Sequence, residues 1–131
     1  MKTILKISEA SVIAIHAMSH ILSSREEAIG AGRLSKELKI SYNHLSKVLQ
    51  RLTRKKLLST LRGPRGGYYL TEKGKNCLLG DILSAIEGDL NYATCFRYSS
   101  GCGKKSCGLS SFLSSTNIAF EQLLKKRLKD L

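Results

Sequence analysis

Three thiols, Cys95, Cys102 and Cys107, lie within the glycine-rich stretch TCFRYSSGCGKKSCGLSS. Three cysteines that close cannot all pair with one another, and thiolates favour soft metal centres such as zinc or iron–sulfur clusters. Gly101, Gly103 and Gly108 let backbone amides approach the sulfurs and tune such a centre. Six residues separate the first pair and four the second. That spacing matches neither ferredoxin ligand pattern, and zinc shares the thiolate preference, so residue types alone leave the metal open. The fourth cysteine, Cys77, borders an apolar run and reads as a small buried hydrophobe. His16 and His20, one helical turn apart, read as surface or packing residues.

A second set of residues could recognise DNA. Leu45, Val48, Leu49 and Leu52 fall at i, i+3, i+4 and i+7, the spacing of one buried helix face. Asn43, Lys47, Gln50 and Arg54 occupy the opposite side, with Arg51 beside them. Ser41 is the expected N-cap. The first residues of a recognition helix reach base edges in the major groove, so Tyr42, Asn43, His44 and Ser46 are the candidate base contacts. Asn can bind adenine bidentately. Lys47 and Arg51 are candidate phosphate contacts, whereas Arg54, Lys55 and Lys56 read as a solvated end. Downstream, Leu57–Arg62 and Tyr68–Thr71 flank Gly63-Pro64-Arg65-Gly66-Gly67, a hairpin signature. Arg62, Pro64 and Arg65 at its tip suit insertion into a narrow minor groove.

The elements that position these residues are short. The apolar spacing from Ile7 to Leu22 predicts a first helix with Ser8 as N-cap. Ser23 to Gly32 reads as a polar loop. A short helix begins near Ser35, and Lys39–Ile40 forms the turn into the basic helix. A left-handed backbone at Lys39, where glycine is common, carries a small strain. A short helix, a tight turn and a basic amphipathic helix make the helix-turn-helix pattern, and the following hairpin is a wing. Thr71 to Asn76 reads as a polar connector, Leu79 to Ile86 as another helix stopped at Gly88. From Leu109 to Leu131 the apolar pattern resumes over more surface than one small body needs, which points to dimerisation.

Charge supports a polyanionic partner. The 131 residues carry 22 Lys and Arg against 10 Asp and Glu, a formal net charge of +12. Ten basic residues and one acid, Glu37, lie between Arg33 and Arg65, a local footprint for phosphate backbones. No apolar run reaches transmembrane length, and the N-terminus lacks a signal-peptide layout. The expectation is a cytoplasmic protein with reduced thiols and no membrane partner.

The run ISYNHLSKVLQRL, the wing LRGPRGGYYLT, the segment LGDILSAIEG and the cysteine triplet occur in this order. Together they resemble the bacterial winged-helix regulators that include the iron–sulfur assembly regulator IscR and the nitric-oxide-responsive repressor NsrR. The resemblance implies a mainly α fold with a small β-hairpin wing and a long C-terminal dimerisation helix. It divides the chain into a winged helix-turn-helix domain (1–90), a cysteine-rich cluster-binding loop (91–108) and the dimerisation helix (109–131). It implies a homodimeric transcriptional repressor on double-stranded promoter DNA, neither an enzyme nor a binder of a small-molecule substrate. Its promoter binding is set by a labile iron–sulfur cluster, [2Fe–2S] or [4Fe–4S], that senses nitric oxide, redox state or iron supply. Cys95, Cys102 and Cys107 are the implied ligands. Some relatives use a His three residues after the last cysteine, where this chain has Ser110. Others use a carboxylate near the start of the first helix of the partner subunit, the place that Glu9 occupies.

Two rival readings stand beside this one. A cluster-free or zinc-binding regulator of the same fold would act in sulfur or cysteine metabolism. A small redox or metal-handling enzyme is disfavoured, because the chain shows no nucleophile–base pairing, phosphate-cradling loop or CxxC pair.

Overall fold

A computed structural model describes residues 7–90 and 107–131. The first helix, α1 (Glu9–Ser23), begins where the Ser11 amide donates to the Ser8 hydroxyl at 3.2 Å. This side chain satisfies one of the helix's otherwise orphaned amides. Ile13, Ala14, Ala17, Met18 and Ile21 form its buried face. Next come α2 (Ala31–Leu38) and α3 (Tyr42–Arg54). Leu34 of α2 and Leu45, Val48, Leu49 and Leu52 of α3 join that face in one core, together with Leu57, Leu58 and Leu70. The last two lie in a two-stranded antiparallel hairpin, β1 (Leu58–Leu61) and β2 (Gly67–Leu70), in register Leu58↔Leu70 to Leu61↔Gly67. The chain continues through α4 (Glu72–Lys75), α5 (Leu79–Glu87) and α6 (Gly108–Leu124) to a 3₁₀ turn at Leu128–Asp130.

The core explains which residues could form helix. Leu45, Leu49 and Leu52 are fully buried, and truncating such a leucine to alanine costs about 2–5 kcal/mol. Cys77 is buried in the same core, as its apolar neighbours suggested. A second, smaller cluster joins Leu83 of α5 to Phe120 and Leu124 of α6. The start of α5 and the end of the chain are also stitched backbone to backbone. The Leu79 amide donates to the Lys126 carbonyl at 2.9 Å, and the Leu128 amide to the Cys77 carbonyl at 3.0 Å.

Three elements differ from the sequence expectation. Residues 23–32 are not all loop: α2 begins at Ala31, capped by Gly30, and Ala28 and Ile29 are buried. Ile29 exchanges two backbone hydrogen bonds with Tyr68, which adds a third, one-residue rung to the hairpin. The polar connector holds a single helical turn, α4, in which the Gly74 amide donates to the Thr71 hydroxyl. The final helix stops at Leu124 and does not run to Leu131. Lys126 and Leu128 there give their backbone groups to residues 77–79, and Leu128 joins the main core.

Candidate nucleic-acid interface

The approach to α3 is locked by backbone geometry. Lys39 sits in the left-handed region, φ 56° and ψ 43°, as its place in the turn predicted. The Ile40 amide donates to the Ser35 carbonyl at 3.0 Å, and the Ser35 hydroxyl donates to the Ile40 carbonyl at 2.6 Å. Two residues after Lys39, Ser41 caps α3 by accepting the His44 amide at 3.2 Å. The turn and the cap together fix where the first residues of α3 point.

Tyr42, Asn43 and Lys47 are exposed on α3, and His44 is half-buried. Gln50 and Arg54 continue the exposed stripe opposite the leucine face. Gln50 stood outside the candidate set although the same helical spacing places it there, and glutamine has the donor–acceptor pair that reads adenine. Ser46 lies on the flank, and its hydroxyl is buried with no hydrogen-bond partner. Arg51 lies on the other flank, where its Nη1 donates to the Ile86 carbonyl at 3.4 Å.

The wing is built for close approach. The Gly66 amide donates to the Gly63 carbonyl at 2.9 Å, which puts Pro64 and Arg65 at the corner of a β-turn. Arg62, Pro64 and Arg65 are all exposed. At its base, Gly67 has φ 148°, and a Cβ there would stand 2.3 Å from the Ile29 carbonyl. Only glycine lets β2 lie against Ile29 this closely. The Thr71 hydroxyl donates to the Lys56 carbonyl at 2.6 Å, tying the hairpin to the end of α3.

The basic residues are not equally available. Arg33 donates from Nε to Glu37 at 2.7 Å and from Nη1 to Glu26. These hydrogen bonds, that to Glu26 first, raise its pKa further above its ordinary value. His20 lies 2.6 Å from the other Glu37 oxygen. Hydrogen bonds from Arg33 and then His20 hold Glu37 below the usual carboxylate range. Arg33 is thereby tied to the preceding loop, and Glu37 links it on to His20 of α1, so its charge is already matched by two carboxylates.

Of the candidate metal ligands, Cys95 and Cys102 lie outside the described residues. Cys107 is half-exposed and occupies the N-cap position of α6. Among the described residues nothing lies within 4 Å of a Cβ placed on the next residue, Gly108. Glu9 is exposed at the first position of α1. Both suit a donor set that must reach a ligand. Cys77 does not: burial first, then the charge of Asp81, pushes its thiol up to about 11. Among the described residues no three metal-binding side chains come together, and no helix is long and apolar enough to cross a membrane. His16 is exposed and His20 is engaged with Glu37.

A capped basic helix after a tight turn, followed by a glycine-tipped hairpin, defines a winged helix-turn-helix protein of the DNA-binding regulator class. The family described as "Rrf2: Iron-dependent Transcriptional regulator" matches residues 7–131, and the chain belongs to it. The chain is 32% identical over 96 residues to the HTH-type transcriptional regulator NsrR of Shouchella clausii, covering 71% of this chain and 64% of that protein. It is 28% identical over 127 residues to the HTH-type transcriptional regulator IscR of Xenorhabdus nematophila, covering 87% and 76%. Another relative, from Rhodopseudomonas palustris, is matched over 53% of its own length. In structure the chain is similar to CymR, the global cysteine regulator of B. subtilis, with TM-score 0.77 and 20% identity over 96% of this chain and 95% of that one.

Proposed function

We propose that this chain is a cytoplasmic homodimeric regulator that binds double-stranded promoter DNA and holds an iron–sulfur cluster through Cys95, Cys102 and Cys107, with Glu9 of the partner subunit as fourth ligand. The observation that carries the proposal is the match of the iron-dependent family over residues 7–131, a span that includes all three thiols. Cys107 at the start of one helix and Glu9 at the start of another support the reading. When bound, the cluster supplies a centre that nitric oxide, oxidants or iron shortage can modify or remove.

The rest belongs to the chain itself. Tyr42, Asn43 and His44 enter the major groove, and Lys47 and Arg51 take phosphates. Arg62 and Arg65 follow the minor groove on either side of Pro64. Ser46 acts through packing on the flank of the helix. Leu109, Phe112 and Ile118 leave more than half of their surface exposed on α6, and a second copy of the chain covers them. Two recognition helices then meet half-sites about one helical turn apart. A shift in their separation of the size worth a few kcal/mol empties the site.

The test is spectroscopic. Protein purified anaerobically is expected to be brown and to contain iron and sulfide. It should bind a duplex selected from a random-sequence library by this protein, with an affinity that nitric oxide changes. Colourless protein with stoichiometric zinc overturns the cluster assignment. DNA binding and regulation that survive Ala at all three cysteines would instead identify a cluster-free regulator.

A further inference from the structure

We propose that Glu87 is the positioning residue through which the cysteine segment acts on the recognition helix, a reading that rests on that segment controlling DNA binding. Glu87 is the last residue of α5, and Cys95 follows it by eight residues. Its Oε1 accepts the Ser8 backbone N–H at 3.0 Å and the Ser11 hydroxyl at 2.6 Å. Ser11 is the one buried polar residue in the described part of the chain. The end of α5 is thereby clamped to the start of α1, one residue from Glu9.

The third arm of this junction is Arg51. Its Nη1 reaches the Ile86 carbonyl at the same end of α5, where the helix dipole favours a cation. Partial burial works against a charged Glu87, but the hydrogen bonds from Ser11 and Ser8 and the charge of Arg51 outweigh it and lower its pKa. Guanidinium carries five N–H donors in a fixed fork. One directed at Ile86 leaves the others to meet a phosphate, so the end of α5 sets where that contact lands. Both elements that carry candidate ligands, α1 with Glu9 and α5 leading to Cys95, therefore meet at one carboxylate beside α3. A displacement of either moves the groups that orient Arg51.

The experiment is a double-mutant cycle on DNA affinity. The full chain is compared with Glu87→Gln, with Cys95→Ser, Cys102→Ser and Cys107→Ser combined, and with all four substitutions. The probe is a duplex selected from a random-sequence library by the wild-type protein. Glu87→Gln is expected to weaken binding, and its coupling to the cysteine substitutions should be about fivefold or more. Ser11→Ala, which removes one hydrogen bond to Glu87 and keeps its charge, should show the same sign of coupling and stands in if Glu87→Gln does not fold. Arg51→Ala should lower the slope of affinity against salt by about one in wild type and by less in Glu87→Gln. A purely structural Glu87 leaves that slope change the same in both backgrounds, which overturns the inference. So do cysteine and Glu87 effects that multiply independently while the cysteine substitutions still shift affinity, and the proposed function then survives. Cysteine substitutions without effect on the wild-type affinity overturn both.

Discussion

Gly67→Ala should detach the wing from the body. The added methyl would lie 2.3 Å from both the carbonyl carbon and oxygen of Ile29 and 2.5 Å from the Gly30 nitrogen, so the strand must retreat. Retreat breaks the paired bonds Ile29 N–H to Tyr68 O at 3.0 Å and Tyr68 N–H to Ile29 O at 2.8 Å. Two backbone hydrogen bonds are worth roughly 1 kcal/mol each, and holding alanine at φ 148° adds about 1–3 kcal/mol. The expected loss is about 3–5 kcal/mol, equivalent to a fall in Tm of roughly 10–18 °C for a chain of this length. Circular dichroism melting measures it, and hydrogen exchange at the Tyr68 amide reports whether the rung opened. Gly32→Ala is the control. Gly32 is exposed in α2 with nothing within 4 Å of the new methyl, so the same chemical change should stabilise by about 0.4–1 kcal/mol. A Gly67→Ala protein that melts within about 2 °C of wild type, or that melts early with the Tyr68 amide still protected, would refute the packing argument.

Four further outcomes are expected. Lys39→Gly relieves a left-handed residue whose Cβ costs about 1–2 kcal/mol, offset by glycine's greater unfolded freedom, so thermal melting should show a net gain of about 0.5–1 kcal/mol. Asn43→Ala should relax base preference at one position by about 1–3 kcal/mol in a binding selection, whereas Lys47→Ala should weaken all sequences alike and lower the salt slope by about one. Cys77, with its thiol pushed up to about 11, should be alkylated far more slowly than Cys107 in folded protein stripped of metal at neutral pH, as mass spectrometry of labelled peptides would show. Glu87 has a folded-state pKa below its ordinary value, so the stability it contributes is present above the usual carboxylate pKa and lost as pH falls through the lowered one. Acid titration should therefore show a limb that Glu87→Gln flattens.

The helix-turn-helix was readable because Leu45, Val48, Leu49 and Leu52 impose one period and the opposite side is polar without interruption. The wing was readable because Gly63, Pro64, Gly66 and Gly67 leave few backbone alternatives. What escaped detection depends on distant partners. Ile29 pairs with Tyr68 across the fold, and a single rung has no periodicity of its own. The turn at Glu72–Lys75 is too short to show a helical face. The end of α6 is set by the pairing of Lys126 with Leu79, while the local sequence there, rich in lysine and leucine, favours continued helix. The role of Ile86 and Glu87 was hidden for the same reason, since neighbouring residues say nothing of Ser8, Ser11 or Arg51. The stripe on α3 was visible, yet separating inward Ser46 from outward Gln50 needed the packed neighbours.

The backbone stitching of residues 77–79 to 126–128 gives α6 a fulcrum. Its 17 residues make a rod about 25 Å long, pinned near Lys126 and bearing Cys107 at its opposite tip. Swinging such a rod through about 5° carries that tip by roughly 2 Å. Small rearrangements around one sulfur thus correspond to a change of pitch along the whole rod, and whatever leans on its apolar side tilts with it.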